Sequence, residues 1–315
     1  MIKKISVIGA GTMGHSIASA FALYGYSVSL YDTCEEQLRI VKRIIKNELQ
    51  ELVEGELFNK IQVEKALDNI RLFSDLEEAT RDSDYVIEAI PERIDLKIDL
   101  FDKLDKFTPK HTILASNTSS LSLEDMMVNI SDERKKRMIV NHWYNPGLIM
   151  PLVELSFLGN MPEDVYKEVE ELYRSIKKQT VKVLKSIPGL VANRIQMAVA
   201  REVFSLIQQR IADPAEIDKA LKFGPAFRYA TTGQLEVADL GGLDIWCTVG
   251  DNLLKEMDNS ICSNEILREK VEEGKLGVKS GAGFYEYSPE EKEKIKKEFN
   301  KRLIHQLKAS EFYIK

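Results

Sequence analysis

The stretch that decides the fold is residues 5–14, which read ISVIGAGTMG. An apolar run leads into the pattern G-x-G-x-x-G, and an apolar helical pattern follows. A strand, a glycine-rich turn and a helix in this order begin a dinucleotide-binding fold. The first glycine allows the tight turn, the second lets the backbone approach a pyrophosphate, and the third lets the helix pack close to the strand. We assign these roles to Gly9, Gly11 and Gly14.

A second predicted strand, residues 27–31, ends at Asp32. An acidic side chain at this place accepts hydrogen bonds from the adenosine ribose hydroxyls and repels a 2′-phosphate. Glycines also mark ordinary turns, but here strand, helix and acid all accompany them. The sequence therefore predicts an α/β fold with a doubly wound parallel sheet that binds NAD rather than NADP. A fold of this type without a dinucleotide is the weaker interpretation.

Length and composition favour a two-domain globular protein. The chain has 315 residues, 44% hydrophobic and 30% charged, with a net charge of −6. This length suits two domains. The negative charge, without a long basic block, argues against a nucleic-acid partner. No apolar run reaches the roughly 18 residues of a membrane span, and the chain enters its first strand directly, so we expect a cytoplasmic protein without a membrane partner.

The three cysteines, Cys34, Cys247 and Cys262, are far apart in the sequence. They show none of the paired spacings typical of metal sites, so we expect reduced thiols and no metal. The Lys- and Glu-rich tail after Ser288 is most simply a solvated helix.

Between Asp32 and the third strand the chain is longer than a standard crossover. Residues 35–54 and a second piece to about residue 67 have helical patterns, which predict a projecting helical hairpin before a strand at 70–73. The next strands, within 84–90 and 112–116, end near Glu92 and at residues 117–120. Ligands bind at this carboxyl edge of a parallel sheet.

Small polar residues follow the strand at 112–116. We expect Asn117 and Ser119 to face a ligand. For Ser120 or Ser122, capping of the helix that follows is an equally good explanation, because serine is a preferred N-cap residue.

The residues with catalytic chemistry lie in 138–155, which read MIVNHWYNPGLIMPLVEL. Two extended runs flank an Asn-Pro-Gly turn, so the second run is expected to return beside the first and bring Glu154 to His142. A carboxylate fixes the tautomer of an imidazole and suits it to remove a hydroxyl proton. A lone histidine is more often structural. The nearby acid and the dinucleotide fold favour a general base here.

The second half has helical patterns, beginning with a helix at about 190–210. We place the domain boundary between residues 186 and 187, with a substrate and dimerisation domain at 187–315. Asn193 lies in the first turn of this helix, where a capping role would be the commoner explanation. The helix has apolar residues on two faces, which predicts a second copy of the chain as partner. The alternative is that the terminal helices cover the second face.

Several of these motifs, in this order, resemble the short-chain L-3-hydroxyacyl-CoA dehydrogenase family, which includes 3-hydroxybutyryl-CoA dehydrogenases. The resemblance rests on residues 9–14, 115–121, 142–146, 152–154, 188–194 and 279–285. It implies a Rossmann-type domain followed by an all-helical domain that dimerises. It also implies an NAD-dependent oxidoreductase of fatty acid metabolism that reversibly converts a short 3-hydroxyacyl-CoA, such as 3-hydroxybutyryl-CoA, into the 3-keto compound acetoacetyl-CoA.

The resemblance also implies roles for single residues. His142 would be the catalytic base and Glu154 would orient it, while Ser119 would contact the substrate oxygen and Asn193 would assist at the same centre. Glu92 and Asn145 would lie near the nicotinamide. The complete set of expected cofactor contacts is Gly9, Gly11, Thr12, Met13, Gly14, Asp32, Glu92, Asn117 and Asn145.

Some residues depart from the family pattern and leave the substrate open. Trp143 and Tyr144 stand where the family has two phenylalanines, and Pro151 stands where it has a lysine. Residues 223–230, FGPAFRYA, are similar to relatives that oxidise free 3-hydroxy acids, such as gulonate and pyridoxine-degradation dehydrogenases. Arg228 could clamp a free carboxylate, although an ordinary ion pair explains it equally well.

Two further interpretations remain open from the sequence. Lys42, Arg43 and Lys46 on the predicted hairpin could meet CoA phosphates, although a solvated helix face is the commoner explanation. A catalytically idle, crystallin-like NAD-binding protein is the alternative outside enzymes. The intact set of predicted site residues argues against it.

Overall fold

The computed structural model describes residues 2–313. The strands are β1 (Lys4–Ile8), β2 (Ser27–Tyr31), β3 (Ile70–Phe73), β4 (Tyr85–Glu88), β5 (Ile113–Ser116), β6 (Met138–Trp143), β7 (Leu152–Ser156) and β8 (Gln179–Val183). The helices up to β8 are α1 (Thr12–Leu23), α2 (Glu35–Glu54), α3 (Lys60–Asp68), α4 (Leu76–Thr80), α5 (Ile94–Phe107), α6 (Leu123–Met126), α7 (Asp132–Lys135) and α8 (Glu163–Ser175). The helices after β8 are α9 (Ala192–Gln208), α10 (Pro214–Phe223), α11 (Pro225–Tyr229), α12 (Gln234–Gly241), α13 (Leu243–Leu253), α14 (Glu265–Glu272) and α15 (Glu291–Ser310).

The strands form one sheet in the order β3-β2-β1-β4-β5-β6-β7-β8. Neighbouring strands are parallel except β6 and β7, which are antiparallel. β4 and β5 are buried along their whole length, as expected for strands covered on both faces. The sheet, followed by a helical half, confirms the predicted fold class.

Two apolar clusters lie on the two faces of the sheet. Val7 of β1 belongs to one cluster and its neighbour Ile8 to the other, because successive side chains of a strand point to opposite faces. The first cluster includes Ile17 and Phe21 of α1, and the second includes Phe101 of α5. Packing on both faces holds the sheet in place and so fixes the positions of the carboxyl ends of its strands, where the predicted site residues lie.

The predicted hairpin forms as α2 and α3, and one of its faces is packed. Val41, Ile45 and Leu49 of α2 are buried in the same cluster as α1. At the end of α2, a Cβ on Gly55 would lie 2.6 Å from the Ile304 side chain of α15. The hairpin is therefore part of the core on this side, and its basic residues Lys42, Arg43 and Lys46 are on the exposed side.

The tail after Ser288 forms the predicted helix, α15, and most of its residues are exposed. One side is nevertheless buried, since Ile304 is 2% exposed and the Asn300 side-chain amide donates a hydrogen bond to Glu51 of α2 at 2.7 Å. The sequence did not indicate this buried side, because scattered apolar residues are a weak signal in a charged segment.

The chain divides into two compact units. The first comprises Met1–Val191 and Asn300–Leu307, and the second comprises Ala192–Phe299 and Lys308–Lys315. In the second unit, Phe204 of α9 stacks on Phe284 with ring centroids 5.6 Å apart. The first unit thus extends a few residues past the boundary predicted at residue 186 and also takes in part of α15.

Over residues 2–313, none of the helices has the length and apolarity needed to cross a membrane. Across this same described range, no group of His, Cys, Asp or Glu side chains is arranged to hold a metal ion. Cys34, Cys247 and Cys262 are exposed free thiols.

Candidate active site

The glycine motif has the backbone geometry that a pyrophosphate needs. Gly9 has φ +102°, and a Cβ there would lie 2.7 Å from the Ala89 carbonyl oxygen. A Cβ on Gly14 would lie 1.7 Å from the Gly9 carbonyl oxygen, so only glycine lets α1 approach β1 this closely. Around Gly11, by contrast, no atom lies within 4 Å of the Cβ position, which leaves open space beside the first turn of α1. A phosphate fits such a space at a helix N-terminus.

Asp32 follows β2 and is hydrogen-bonded to the glycine loop. Its Oδ2 accepts a hydrogen bond from the Ala10 backbone N–H at 2.7 Å, and its Oδ1 accepts one from Cys34 at 2.8 Å. Each carboxylate oxygen can accept a further bond, so ribose hydroxyls remain possible donors. The sequence indicated the ribose role but missed the bond to Ala10, through which Asp32 also orders the loop.

We predict that Asp32→Asn narrows the preference for NAD over NADP. Asparagine keeps the size and one acceptor oxygen for the Ala10 N–H, but it removes the charge that repels a 2′-phosphate. A change of about 1.4 kcal/mol in discrimination would correspond to about tenfold in the ratio of kcat/KM values. Steady-state kinetics with both cofactors measure this ratio, and an unchanged melting temperature would show that the loop is retained. An unchanged ratio would contradict the placement of Asp32 at the ribose.

The antiparallel pairing of β6 and β7 brings together the two residues of the predicted dyad. His142 and Glu154 are directly opposite each other in the register, and His142 Nδ1 lies 2.9 Å from Glu154 Oε2. Both residues are buried. Glu154 Oε1 accepts a hydrogen bond from the Val191 backbone N–H at 2.8 Å. With Nδ1–H donating to the carboxylate, Nε2 is left to accept a proton, a tautomer assigned from these contacts.

Tyr144 lies next to this pair at the end of β6. Its ring meets the His142 imidazole edge to face, with centroids 5.8 Å apart. Partial burial, and next the charge of Glu154, raise the pKa of the Tyr144 hydroxyl, which therefore stays protonated at neutral pH. The aromatic ring limits the positions open to the imidazole on that side.

Glu92, after β4, organises the loop that follows β5. Its Oε1 accepts hydrogen bonds from the Thr118 hydroxyl at 2.5 Å, from the Ser119 backbone N–H at 3.1 Å, and from the Ser120 backbone N–H and hydroxyl at 3.1 and 2.9 Å. Burial acts to raise the pKa of Glu92, but bonds from Thr118 and Lys97 and the charge of Lys97 outweigh it and lower that pKa to about 2. Glu92 is therefore an anion that holds the loop in place.

Beneath Glu92 lies a buried ion pair that the sequence analysis missed. Lys97 Nζ donates to both carboxylate oxygens of Glu88 at 2.8 Å and lies 3.0 Å from Glu92 Oε2. The Ser116 hydroxyl donates to Glu88 Oε2 at 2.5 Å, and burial raises the pKa of Glu88. The available signal was Glu88 itself, a charged residue inside the otherwise apolar run 85–90, because such a residue needs a partner.

The small polar residues after β5 make different contacts. Asn117 Oδ1 accepts a hydrogen bond from the Trp143 backbone N–H at 2.9 Å, which ties the ends of β5 and β6 together. Ser122 caps α6 by accepting a bond from Asp125 N–H, whereas Ser120 binds Glu92 instead. Ser119 is half-buried and lines a cavity of about 80 Å³ together with Ser156. Of the two serines considered for capping, Ser122 caps.

The remaining predicted residues are less closely tied to this group. Thr12 and Met13 begin α1, with Thr12 exposed and Met13 half-buried. Asn145 is exposed in the connection between β6 and β7. Asn193 lies in the first turn of α9, in the second unit, as does Arg228 of α11, whose guanidinium lies 5.9 Å from the Tyr229 ring centroid. Their roles stay predictions.

Comparison with known proteins identifies the family of this chain. Residues 4–187 match the model of the 3-hydroxyacyl-CoA dehydrogenase NAD binding domain, and residues 189–287 match that of the 3-hydroxyacyl-CoA dehydrogenase C-terminal domain. A probable 3-hydroxybutyryl-CoA dehydrogenase of Bacillus subtilis is 35% identical over 91% of this chain and 98% of its own. A 5-formyl-3-hydroxy-2-methylpyridine 4-carboxylate 5-dehydrogenase of Mesorhizobium japonicum is 30% identical over 96% of this chain and 97% of its own.

Solved structures give the same result. The crystal structure of a 5-formyl-3-hydroxy-2-methylpyridine 4-carboxylic acid 5-dehydrogenase, described as an NAD+ dependent dismutase, has a TM-score of 0.88 at 29% identity and covers 97% of both chains. That of the (S)-3-hydroxybutyryl-CoA dehydrogenase of Ralstonia eutropha has a TM-score of 0.73 at 31% identity, covering 91% of this chain and 100% of that one. The cofactor of this chain is NAD, and the chain belongs to the 3-hydroxyacyl-CoA dehydrogenase family of NAD-dependent oxidoreductases.

Proposed function

We propose that the protein transfers a hydride between NAD and C3 of a short 3-hydroxyacyl-CoA, such as 3-hydroxybutyryl-CoA, in fatty acid metabolism. The observation that carries this proposal is the buried pair of His142 and Glu154, at the end of the strand beside the Glu92-ordered loop. NAD accepts or donates the hydride. The protein's own residues supply the proton transfer, orient the substrate and keep water away.

In the direction of oxidation, His142 Nε2 removes the proton of the 3-hydroxyl group. The imidazole then becomes positive, and the buried Glu154 carboxylate balances its charge at 2.9 Å. The Val191 N–H on the other carboxylate oxygen prevents Glu154 from rotating away. In the direction of reduction, His142 returns the proton to the carbonyl oxygen. We assign Ser119 and Asn193 to that same substrate oxygen, as the family resemblance implies.

A free hydroxy acid is the second candidate substrate, and one observation favours it. The family model ends at residue 287, before α15, yet the pyridine-carboxylate dehydrogenase matches this chain over 97% of its length. An alignment of that extent includes most of α15. A relative that matches this chain along nearly its whole length, with a TM-score of 0.88, is thus named for a substrate with a free carboxylate. Arg228 is our candidate to bind such a carboxylate.

The experiment that decides between the substrates follows NADH absorbance with acetoacetyl-CoA, with free acetoacetate and with a panel of free 3-keto acids. A higher kcat/KM with the CoA thioester is the expected result. Activity on free acids alone would overturn the CoA proposal but leave the hydride transfer standing. Absence of turnover with every 3-keto compound, together with normal NADH binding, would contradict the proposed reaction itself.

We also propose that the protein is a homodimer formed through its second unit. Ile195 and Met197 of α9 are 63% and 65% exposed, and Leu235 of α12 is 83% exposed. The alternative was that the terminal helices of the same chain cover these apolar residues, but with α15 present the three side chains remain exposed. Large apolar patches of this kind mark interfaces, and a two-fold partner is the commonest arrangement. Light scattering at micromolar concentration should give twice the mass of one 35.9 kDa chain. A single-chain mass that persists on concentration would exclude the dimer.

A further inference from the structure

Lys178, between α8 and β8, has a buried side-chain amine that the proposed reaction does not use. Lys178 is 7% exposed. Nζ donates hydrogen bonds to the backbone carbonyl oxygens of Gly147 at 2.7 Å and Met150 at 2.6 Å. The same nitrogen lies 4.9 Å from the centre of the Trp143 ring. All three partners belong to the end of β6 or to the connection that follows it.

Within residues 2–313, the Lys178 amine has no Asp or Glu carboxylate as an ion-pair partner. Burial alone lowers the pKa of the Lys178 amine to about 7. Burying a charge without a counter-ion is costly, and a methionine would fill the same space at lower cost. Main-chain carbonyls and an aromatic ring stabilise a buried amine less than a carboxylate does. Fold stability alone therefore does not explain a lysine at this position.

The connection that Lys178 binds joins the two strands of the dyad. It runs from Tyr144 to Pro151 and includes Asn145, between His142 on β6 and Glu154 on β7. Lys178 binds it at two carbonyls, three residues apart along the chain. The next residue of the chain, Gln179, donates its backbone N–H to the Pro151 carbonyl oxygen at 2.8 Å. The connection is therefore fastened along one side.

The connection also contacts α1, the helix that follows the glycine-rich turn. The Leu148 backbone N–H donates to the Ser16 hydroxyl of α1 at 2.8 Å. The nearest atoms to a Cβ on Gly147 would be those of Ser16 and Met13, at 3.4 and 3.5 Å. Met13 is part of the glycine motif. One segment thus contacts both the helix that receives the dinucleotide and the strand that ends beside the dyad.

We propose that Lys178 is a positioning residue that holds the connection 144–151 between the glycine motif and the His142–Glu154 pair, and so sets the relative position of cofactor and base. Lys178 does not touch either of them. It acts through the Gly147 and Met150 carbonyls, while the Ser16 hydroxyl accepts a hydrogen bond from Leu148 of the same segment. Hydride transfer needs the reacting groups aligned to a fraction of an ångström, and a displacement of about 1 Å can cost about 10²-fold in rate.

The test is Lys178→Met, which keeps an unbranched side chain but has no N–H donor. We expect the dissociation constant of NADH, measured by fluorescence, to rise about threefold to tenfold, and kcat to fall about 10- to 100-fold. In the cofactor-free protein, hydrogen–deuterium exchange should accelerate in 144–151 and stay unchanged in β4. The turnover readout rests on the proposed function, whereas NADH binding and exchange do not.

Arg134→Met is the matched control. Arg134 is also a buried basic residue that donates to main-chain carbonyls, those of Thr108, Pro109 and Thr112, but these precede β5, at the amino end of the sheet. Unlike Lys178, it also pairs with a carboxylate, that of Asp105 at 3.0 Å. This variant should lower the melting temperature while NADH affinity and kcat stay near those of the native protein. If both variants lose stability and neither changes NADH affinity, exchange in 144–151 or kcat, Lys178 is structural and the proposal fails.

Ser16→Ala covers the case in which Lys178→Met does not fold. It removes the acceptor of the Leu148 N–H and leaves no buried charge without a partner. We expect the same direction of change in NADH affinity and in exchange at 144–151, with a smaller size. Native values in Ser16→Ala for both quantities would overturn the idea that this segment sets the cofactor position.

Discussion

His142→Gln is expected to lower kcat by about 10²- to 10⁴-fold, because the variant lacks the group that removes the hydroxyl proton. Glutamine fills a similar space, and its amide can still donate to the Glu154 carboxylate, which otherwise lies buried without its 2.9 Å partner. The dissociation constant of NADH should change little, since the base acts on the substrate hydroxyl group and not on the cofactor. Steady-state turnover with acetoacetyl-CoA and a fluorescence titration with NADH measure the two quantities separately.

Glu154→Gln is the companion variant. It keeps the shape and an acceptor for the Val191 N–H, but it removes the charge that balances the protonated imidazole. We expect a smaller loss of kcat than in His142→Gln, again with nearly native NADH affinity. Near-native kcat in both variants would contradict the assignment of this pair as base and orienting acid.

The second large effect is on stability. Lys97→Met should lower the free energy of unfolding by about 3–5 kcal/mol, because it leaves the Glu88 carboxylate buried without a cation. Glu88 is 0% exposed, and Lys97 holds both of its carboxylate oxygens. Urea denaturation measures the change. The double variant Glu88→Gln/Lys97→Met should recover much of the loss, since the uncompensated charge is then gone.

Lys103→Met, on the same helix, is the control for this experiment. Lys103 pairs with Asp99 at 2.7 Å, but both side chains are at least half exposed, and pairs of this kind contribute at most about 1 kcal/mol. A loss in Lys97→Met no greater than that in Lys103→Met would mean that Glu88 accepts a proton or reaches water at little cost. The same result would weaken the role of the pair in holding Glu92.

The features predicted well from the sequence are those whose cause is local. The glycine motif, the helix Glu35–Glu54 and the strand Ile70–Phe73 depend on spacing and on turn residues that the sequence displays directly. The pairing of His142 with Glu154 was also accessible, because an Asn-Pro-Gly turn between two extended runs limits the register of the hairpin.

The features that were missed depend on contacts between distant parts of the chain. The bonds from residues 118–120 to Glu92 cross from one strand end to the next. The burial of Ile304 depends on α2, far earlier in the sequence. Lys178 reads as one more surface lysine in the run Lys177-Lys178, and only the fold shows that its amine is enclosed. Side-chain burial of this kind is decided by topology, which periodicity does not contain.

The return of α15 to the first unit has a consequence for biosynthesis. Domains generally fold in the order in which the ribosome delivers them. Ile304, which packs at Gly55, is synthesised only after Ala192–Phe299 of the second unit, so the apolar side of α2 near Leu52 stays uncovered until that part of the chain has been made. A nascent chain stopped at residue 287, where the family match ends, would present that uncovered side to chaperones and proteases. The part of α15 around Ile304 thus completes the packing of the first unit.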